Sequence, residues 1–329
     1  MRIYRNLQSY GPEAGPGVVA LGAFDGVHLG HQRILDVAIA RARASRAHSV
    51  VCTFDPHPLE VLRPEQAPAP ISTLGERLER IAAAGIDATV IIPFTLEFAA
   101  VEPDAFAREV LVGCFRSREV IVGFNHTFGR GAKGTPALLA SLGPALGFAT
   151  HVVPPLSVGG VLVSSSTIRE ALHAGDVVTA RALLGRPYSI RGVVVHGAGR
   201  GRSLGFPTAN VSPERPPLVP AGVYAGYVWI DSPARPDDPG ACLDVEGSPL
   251  HSRPISTRHK CVLNVGVRPT FGAGEYTIEV HLLDFGDDLY GRCIQVDLIE
   301  RLRDEQRFAD VEALRAQIRR DVGVAATRL

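Results

Sequence analysis

The chain has 329 residues, of which 46% are hydrophobic and 21% are charged. Its 34 Lys and Arg residues balance 34 Asp and Glu residues, so no bulk charge attracts nucleic acid or anionic lipid. At about 150 residues per domain, this length predicts two globular domains. The N-terminus lacks the apolar stretch of a secretory signal, and no apolar run approaches the roughly 18 residues of a membrane span. We therefore expect no nucleic-acid or membrane partner.

The cysteines form an odd set of five without a C-x-x-C pair, which argues against a disulfide framework. Three of them lie in strand-like runs, so we expect reduced, structural thiols and a cytoplasmic location. The cysteines are Cys52, Cys114, Cys242, Cys261 and Cys293. The sequence leaves a homo-oligomer open.

Up to about residue 185, apolar strands alternate with helices. The predicted strands are 18–21, 48–54, 88–94, 118–124 and 151–155, and helices are predicted after 28, at 74–85, at 102–113, from 136, from 167 and at 177–184. This alternation predicts a Rossmann-like α/β domain with a parallel sheet and right-handed crossovers. Ligands of such sheets bind at the carboxyl ends of the strands.

The turn in LGAFDGVHLGHQRIL, residues 21–35, joins the first apolar strand to the first helix. Helix N-termini attract anions because their first amides have no intrahelical partner. His28 and His31 stand at this N-terminus with Gly30 between them. A lone histidine is more often structural, but this pair beside free amides favours binding of a polyphosphate.

A second phosphate-type cluster follows in the run SSSTIRE. Thr167 and Glu170 have capping-box spacing, which places the preceding serines at a helix entrance and Arg169 in the first turn. An arginine there opposes the helix dipole, and a bound anion would relieve that conflict. An ordinary cap with a solvated arginine is the alternative interpretation.

These clusters contain no arranged nucleophile–base pair and no G-x-x-x-x-G-K-[ST] loop. Their residue types suit phosphoryl transfer, in which positioning and electrostatics carry most of the catalysis.

From residue 186 the pattern changes to short β-rich runs separated by Gly and Pro turns, which predicts a small antiparallel barrel. The runs begin near residues 190, 206, 222, 260, 276 and 293. Asp310 is predicted to cap a final amphipathic helix, whose Val311, Leu314 and Ile318 would cover one barrel opening. Residues 231–259 have no periodicity and predict a mobile surface insertion.

The barrel region carries a second candidate site. HGAGRGRSLGFPTANV provides a glycine-rich loop that can expose its amides. Thr208 and Asn210 are two apart on a predicted strand, so their oxygens share a face and suit Mg²⁺ that keeps its waters. Glu279 lies on the polar stripe of an otherwise apolar strand, as a general base for an alcohol would. A solvated outer face is the alternative.

The motifs GAFDGVHLGH, TFDPHP, VGFNHTFGRGAKG and SSSTIREAL resemble, in that order, the FMN adenylyltransferase domain of the bacterial bifunctional riboflavin kinase/FMN adenylyltransferases. The resemblance covers about residues 1–185. It implies attack of the FMN phosphate on the α-phosphorus of ATP, which forms FAD and releases pyrophosphate. It assigns catalysis to His28 and His31. The implied ATP or phosphate contacts are Gly22, Phe24, Asp25, Gly30, His57, Ser164, Ser165, Ser166, Thr167 and Arg169.

Asn125 is the implied substrate contact of this domain, but the chain departs from the family pattern there. The family often has Asp and Arg where this sequence has Asn125 and Thr127. Asp25 and His57 also have a structural alternative, because each adjoins a turn residue, Gly26 or Pro56.

Residues 186–329 resemble the riboflavin kinase domain of the same family, a six-stranded barrel, through GAGRGxxLGFPTAN, GVYAG, NVGVRPTFG and EVHLLDF. This resemblance implies phosphorylation of riboflavin by ATP with Mg²⁺. It assigns Thr208 and Asn210 to the metal, Glu279 to the ribityl 5′-hydroxyl, and a flavin-side flap to residues 264–272. The implied nucleotide loop is Gly197, Gly199, Arg200 and Gly201, with Asn264 near the flavin.

Two other functions compete with this interpretation. One is a different H-x-G-H nucleotidyltransferase, against which the second domain argues. The other is a catalytically silent flavin-binding regulatory module, against which the joint presence of His28, His31 and Glu279 argues.

Overall fold

The computed structural model describes residues 1–11, 15–197, 199–230, 258–268 and 275–329. The predicted insertion at 231–259 lies outside these ranges apart from its last two residues. The chain packs as two compact units, of which the first ends at Ser165 and the second begins at Ser166. The domain boundary predicted at residue 185 stays a prediction, because the limits of packing and of a sequence domain need not coincide.

The first unit contains a six-stranded sheet with the order β1-β4-β3-β2-β5-β6. All of its neighbouring strands are parallel, which confirms the predicted α/β class. The strands are β1 (Arg2–Tyr4), β2 (Gly17–Leu21), β3 (His48–Asp55), β4 (Ala88–Pro93), β5 (Glu119–Gly123) and β6 (Ala149–Val153). A short hairpin follows, formed by β7 (Ser157–Val158) and β8 (Val161–Leu162).

Helices cover both faces of the sheet. They are α1 (Leu29–Ser45), α2 (Pro58–Leu62), α3 (Leu74–Ala83), α4 (Leu96–Ala99), α5 (Pro103–Ala105) and α6 (Pro136–Leu146). Leu35 and Ala38 of α1 and Ile81 of α3 pack with Val51 on one face. Phe106, Leu111 and Leu139 pack with Val19 and Val90 on the other. Two buried faces explain why the central strands are almost wholly apolar.

Several boundaries differ from the prediction. The helix that starts at Pro103 is a π-helix from Phe106 to Cys114, and hydrophobic periodicity does not distinguish that hydrogen-bond pattern. Strand β6 begins at Ala149, two residues before the predicted start, and the β7–β8 hairpin was not predicted.

The second unit is built on a closed barrel with the order β10-β13-β12-β11-β14-β9. Every neighbouring pair is antiparallel, which confirms the predicted barrel. Its strands are β9 (Tyr188–Val195), β10 (Ala209–Pro213), β11 (Gly222–Ile230), β12 (Arg258–Arg268), β13 (Glu275–Leu282) and β14 (Cys293–Arg303). The helices are α7 (Ser165–His173), which begins at the last residue of the first unit, α8 (Val177–Leu184), α9 (Arg200–Ser203) and α10 (Val311–Arg328).

The terminal helix α10 is capped by Asp310 as predicted, and it packs on the predicted helical face, but nearer its carboxyl end than predicted. Val311 is 55% exposed. The residues near the carboxyl end of the helix, Val322 and Ala325, pack instead with Val223 and Val262 of the barrel. The apolar period alone did not show which turns of the helix meet the barrel.

An ion pair also fastens α10 to β14. The Arg303 guanidinium donates to both carboxylate oxygens of Asp321 at 2.8–3.1 Å, and the Asp321 side chain is 7% exposed. Replacing Asp321 with alanine leaves the largely buried Arg303 without its carboxylate partner. We therefore expect the free energy of unfolding of the second unit to fall by about 3–5 kcal/mol. Urea unfolding checks this, with Glu312→Gln of the exposed Glu312–Arg315 pair as a control that stays within about 0.5 kcal/mol.

Candidate active sites

The turn between β2 and α1, which we call the histidine turn, lies at the topological switch point of the parallel sheet. Strand β2 has β3 on one side and β5 on the other. The sheet therefore grows away from β2 in opposite directions, through β3 and β4 on one side and through β5 and β6 on the other. Ligands of doubly wound sheets bind in the crevice at such a point. The turn that follows β2 carries His28 and His31, and the loop that follows β5 carries Asn125. The fold therefore brings these predicted residues to one edge of the first unit.

The two imidazoles are stacked at the N-terminus of α1. Their ring centroids are 3.7 Å apart with an interplanar angle of 13°. His28 is the N-cap of the helix, and its Nδ1 accepts a hydrogen bond from the His31 amide at 3.2 Å. A nitrogen that accepts must carry a lone pair, so this contact selects the tautomer of His28 with its proton on Nε2.

The backbone of the turn is held in conformations that cost energy. Phe24 and Val27 have φ angles of 53° and 38°, which side chains with a Cβ rarely adopt. Both side chains are buried, and the surrounding packing maintains the strain, as is common at functional sites. A Cβ at Gly30 would press on the imidazole of His28, so glycine there leaves room for the ring.

Asp25 anchors this turn to the segment before α3. Its carboxylate accepts hydrogen bonds from the amides of Ile71 and Ser72 at 3.0 Å and from the Ser72 hydroxyl at 3.2 Å. The Ser72 hydroxyl in turn accepts from the Gly26 amide. These contacts supply the turn-stabilising role that the sequence left as an alternative. A phosphate contact of Asp25 stays a prediction, as do those of Gly22 and Phe24.

His57 caps another helix near the carboxyl end of β3. Its Nδ1 accepts from the Leu59 amide at 3.2 Å, and Glu60 completes a capping box with the His57 amide. The structural alternative thus accounts for one ring nitrogen, and a phosphate contact through the other stays a prediction.

A hydrogen bond joins the serine cluster to the histidine turn. The Ser165 hydroxyl donates to the carbonyl of Asp25 at 3.1 Å. Helix α7 begins at Ser165, so the predicted capping box is wrong. Thr167 lies inside the helix instead of capping it. Ser164 and Ser165 belong to the first unit, whereas Ser166, Thr167 and Arg169 belong to the second.

The loop after β5 contains an exposed Asn125 and, beside it, a histidine with a buried Nε2. No described residue pairs with that nitrogen of His126. Burial lowers the pKa of His126 to about 4, because the buried ring has lost the water that would stabilise its charged form, and no described residue pairs with its Nε2 instead.

His126 makes the first unit sensitive to acid. The unfolded imidazole takes up its proton near pH 6.5, whereas the folded one stays neutral down to about pH 4, so stability falls as the pH falls through that window. We expect His126 to lower the free energy of unfolding by about 2.5 kcal/mol when the pH falls from 7 to 4.5. Urea unfolding of His126→Phe at both pH values should show a correspondingly smaller loss than the parent chain. An equal loss would contradict the assignment, and His48→Gln at an exposed position is the control.

An aromatic cluster at the same edge of the sheet was missed by the sequence interpretation. Its ring centroids are 5.4–6.2 Å apart. The cluster consists of Phe54, Phe94, Phe98, Phe106 and Phe128. Phe54 and Phe94 stand at the ends of neighbouring parallel strands, and this position was the available signal.

In the second unit, the glycine loop closes over the predicted metal ligands. A Cβ at Gly197 would collide with the Asn210 amide, and a Cβ at Gly201 would collide with the backbone at Phe206 and approach the Thr208 hydroxyl. Both polar side chains therefore face the loop, although β10 begins at Ala209, just after Thr208. Gly199 has a φ of 69°. The side chain of Arg200 lies outside the described residues.

Glu279 stands in the middle of a polar row across three strands. It lies opposite Asn210 of β10 and opposite Asn264 of β12. Ile278 and Val280 beside it are buried, whereas Glu279 is half-buried. The Asn264 amide donates to Glu305 at 3.0 Å. The register thus unites three predicted residues. Residues 264–268 of the predicted flap belong to β12, and residues 269–272 lie outside the described residues.

Comparisons with known proteins match the two parts of the chain to two different families. A family model described as FAD synthetase matches residues 12–167, and one described as riboflavin kinase matches residues 184–329. The bifunctional riboflavin kinase/FMN adenylyltransferase of Escherichia coli K12 is 37% identical over 98% of this chain and 96% of its own. The protein of the same name from Bacillus subtilis is 34% identical over 94% of this chain and 91% of its own.

A crystal structure titled macrolide-efflux protein from Streptococcus pneumoniae aligns with a TM-score of 0.82 and 29% identity, covering 98% of each chain. Within the described ranges, the chain has no helix with the length and apolar character that crossing a membrane requires. Both family models and the full-length relatives match in the order that the motifs predicted. The chain therefore belongs to the bifunctional riboflavin kinase/FMN adenylyltransferase family.

Proposed function

We propose that His28 and His31 carry adenylyl transfer from ATP to FMN, which releases pyrophosphate and forms FAD. The observation that supports this most directly is the pair of stacked imidazoles at a helix N-terminus on the β2/β5 switch point. The α1 amides and dipole favour a polyphosphate there. The FMN phosphate attacks the α-phosphorus in line, and no enzyme nucleophile takes part.

The cap contact gives His28 a defined task. With Nδ1 accepting from the His31 amide, Nε2 carries the proton and donates to a phosphate oxygen of ATP. A preorganised donor of this kind stabilises the charge that develops as pyrophosphate leaves. The neighbouring aromatic cluster includes Phe54, Phe94 and Phe98, which are only partly buried and offer apolar rings to the flavin.

We assign riboflavin phosphorylation to the second unit, with Glu279 as the general base. The carboxylate takes the proton of the ribityl 5′-hydroxyl, and the oxygen attacks the γ-phosphorus of ATP, so that FMN forms and ADP leaves. Asn210 and Asn264 flank Glu279 in register and orient it. The glycine loop over Thr208 and Asn210 presents backbone amides to the nucleotide phosphates.

The oxygen donors of Thr208 and Asn210 fit Mg²⁺, because two hard ligands under a phosphate loop leave positions for waters and phosphate oxygens. Their side chains occupy the space in which a Cβ of the loop glycines would lie, so metal and nucleotide would meet at one place. The metal would neutralise charge on the ATP phosphates. A cytoplasmic location and homo-oligomerisation stay predictions.

One assay tests both assignments. The whole chain is incubated with riboflavin, ATP and Mg²⁺, and the flavins are separated. We expect FMN and then FAD, and neither product when EDTA exceeds the metal. Riboflavin alone at the end would support the silent flavin-binding module instead. Accumulation of FMN without FAD would show that the first unit, with its Asn125 and Thr127, does not support adenylyl transfer.

A further inference from the structure

Arg77 is a buried cation that the proposed chemistry does not use. It lies on α3 and is 7% exposed. Its Nη1 donates to the carbonyl of Ala23 at 2.8 Å and to that of Phe54 at 3.1 Å. The same nitrogen donates to the Thr53 hydroxyl at 3.1 Å. One guanidinium therefore joins the ends of two neighbouring strands.

The two carbonyls have particular positions in the chain. Ala23 lies two residues beyond the end of β2 and opens the turn that ends at His28, whereas Phe54 is near the end of β3 and precedes the turn that ends at His57. Strand neighbours no longer fix the backbone beyond these ends. A charge-assisted hydrogen bond is stronger than a neutral one, so Arg77 restrains both turns where regular pairing stops.

Burying a guanidinium is costly, and burial lowers the pKa of Arg77, while the nearby Asp25 and Asp55 raise it. An apolar side chain of similar volume would pack under the sheet at less cost. The hydrogen bonds to Ala23 and Phe54 are what a cation with several donors supplies and an apolar side chain does not.

A second attachment lies in the segment just before α3. Asp25 and Gly26 are bound to the Ser72 hydroxyl, and Asp25 also accepts from the Ser72 amide. The Thr73–Glu76 capping box then begins α3. The histidine turn is thus held by α3 and by the segment that precedes it, at two points separated along the turn.

We propose that Arg77 is a positioning residue for adenylyl transfer, which fixes the turns after β2 and β3 relative to each other so that His28 and His31 meet the ATP phosphates in the reactive geometry. The inference rests on the proposed function of the first unit. It predicts a particular kinetic signature. A misplaced charge stabiliser costs rate in the transition state more than it costs binding of ATP.

The test compares Arg77→Met and Arg77→Lys in the whole chain. For Arg77→Met we expect kcat of FAD formation to fall about 10- to 100-fold, while KM for ATP stays within about threefold. Arg77→Lys keeps one charged donor and should recover kcat to within about fivefold of the parent chain. Riboflavin phosphorylation by the same samples should be unchanged. Arg108→Met, which removes an exposed arginine paired with Asp104, is the matched control.

A folded Arg77→Met variant with unchanged kcat, or with a loss confined to KM, would overturn the proposal. So would an equal fall in the kinase activity. If that variant does not fold, Thr53→Val removes one of the three acceptors at constant shape and should lower kcat with the same signature. The imidazole NMR signals of His28 and His31 should shift in Arg77→Lys, and unshifted signals would also contradict the proposal. The NMR comparison tests whether Arg77 positions the two histidines even if the parent chain forms no FAD. Absence of FAD formation by the parent chain would contradict the proposed function.

Discussion

Replacing His28 with alanine is expected to lower the rate of adenylyl transfer by about 10²–10³, the scale of losing one preorganised charge stabiliser. Riboflavin phosphorylation should continue at the parent rate, because Glu279 lies in the other unit. Separation of the flavin products with riboflavin, and then with FMN, as the starting flavin measures the two steps in one preparation.

Alanine at this position removes two functions at once, because His28 is also the N-cap of α1. Asparagine separates them. Its side-chain oxygen is a favoured N-cap acceptor for the His31 amide, so His28→Asn keeps the helix start but loses the Nε2 donor. We expect both variants to lose adenylyl transfer to a similar extent. Recovery in His28→Asn would show that the imidazole acts only as a cap, and a fall in both activities would contradict separate sites.

The sequence predicted those features whose causes are local. The apolar strands and the helices predicted from 136 and at 177–184 each depend on neighbouring residues, and the structure confirms them. The proximity of His28 and His31 was predicted for the same reason, because the two residues are three positions apart at the start of a helix. The π-helix from Phe106 depends on how that segment packs, which no period in the sequence records.

Residues that act across the fold were less accessible. Arg77 lies 54 positions from Ala23, and Asp25 lies 46 positions from Ile71, so spacing gives no indication of either contact. Glu279 was recognised on its own strand, but its alignment with Asn210 and Asn264 required the register of the closed barrel. Motifs therefore predicted the reacting groups, whereas the fold shows which residues lie beside them.

Replacing Glu279 with glutamine is expected to lower riboflavin phosphorylation by about 10²–10⁴, the range that a positioned general base contributes. Glutamine has the same shape and still accepts hydrogen bonds, but it does not take the proton of the 5′-hydroxyl. Glu279 is half-buried, and its register partners on β10 and β12 are the uncharged Asn210 and Asn264, so the substitution should leave the barrel folded. Formation of FMN from riboflavin and ATP measures the loss.

Adenylyl transfer supplies the internal reference for this variant. With FMN as the starting flavin, Glu279→Gln should form FAD at the parent rate, because His28 and His31 are untouched. Glu312→Gln is the matched control, since it neutralises an exposed carboxylate of α10 and should change neither step. If Glu279→Gln retained the kinase rate while it lowered the affinity for riboflavin, the carboxylate would be a binding group and not the base. The opposite responses of His28 and Glu279 variants are what two reactions in two different units require.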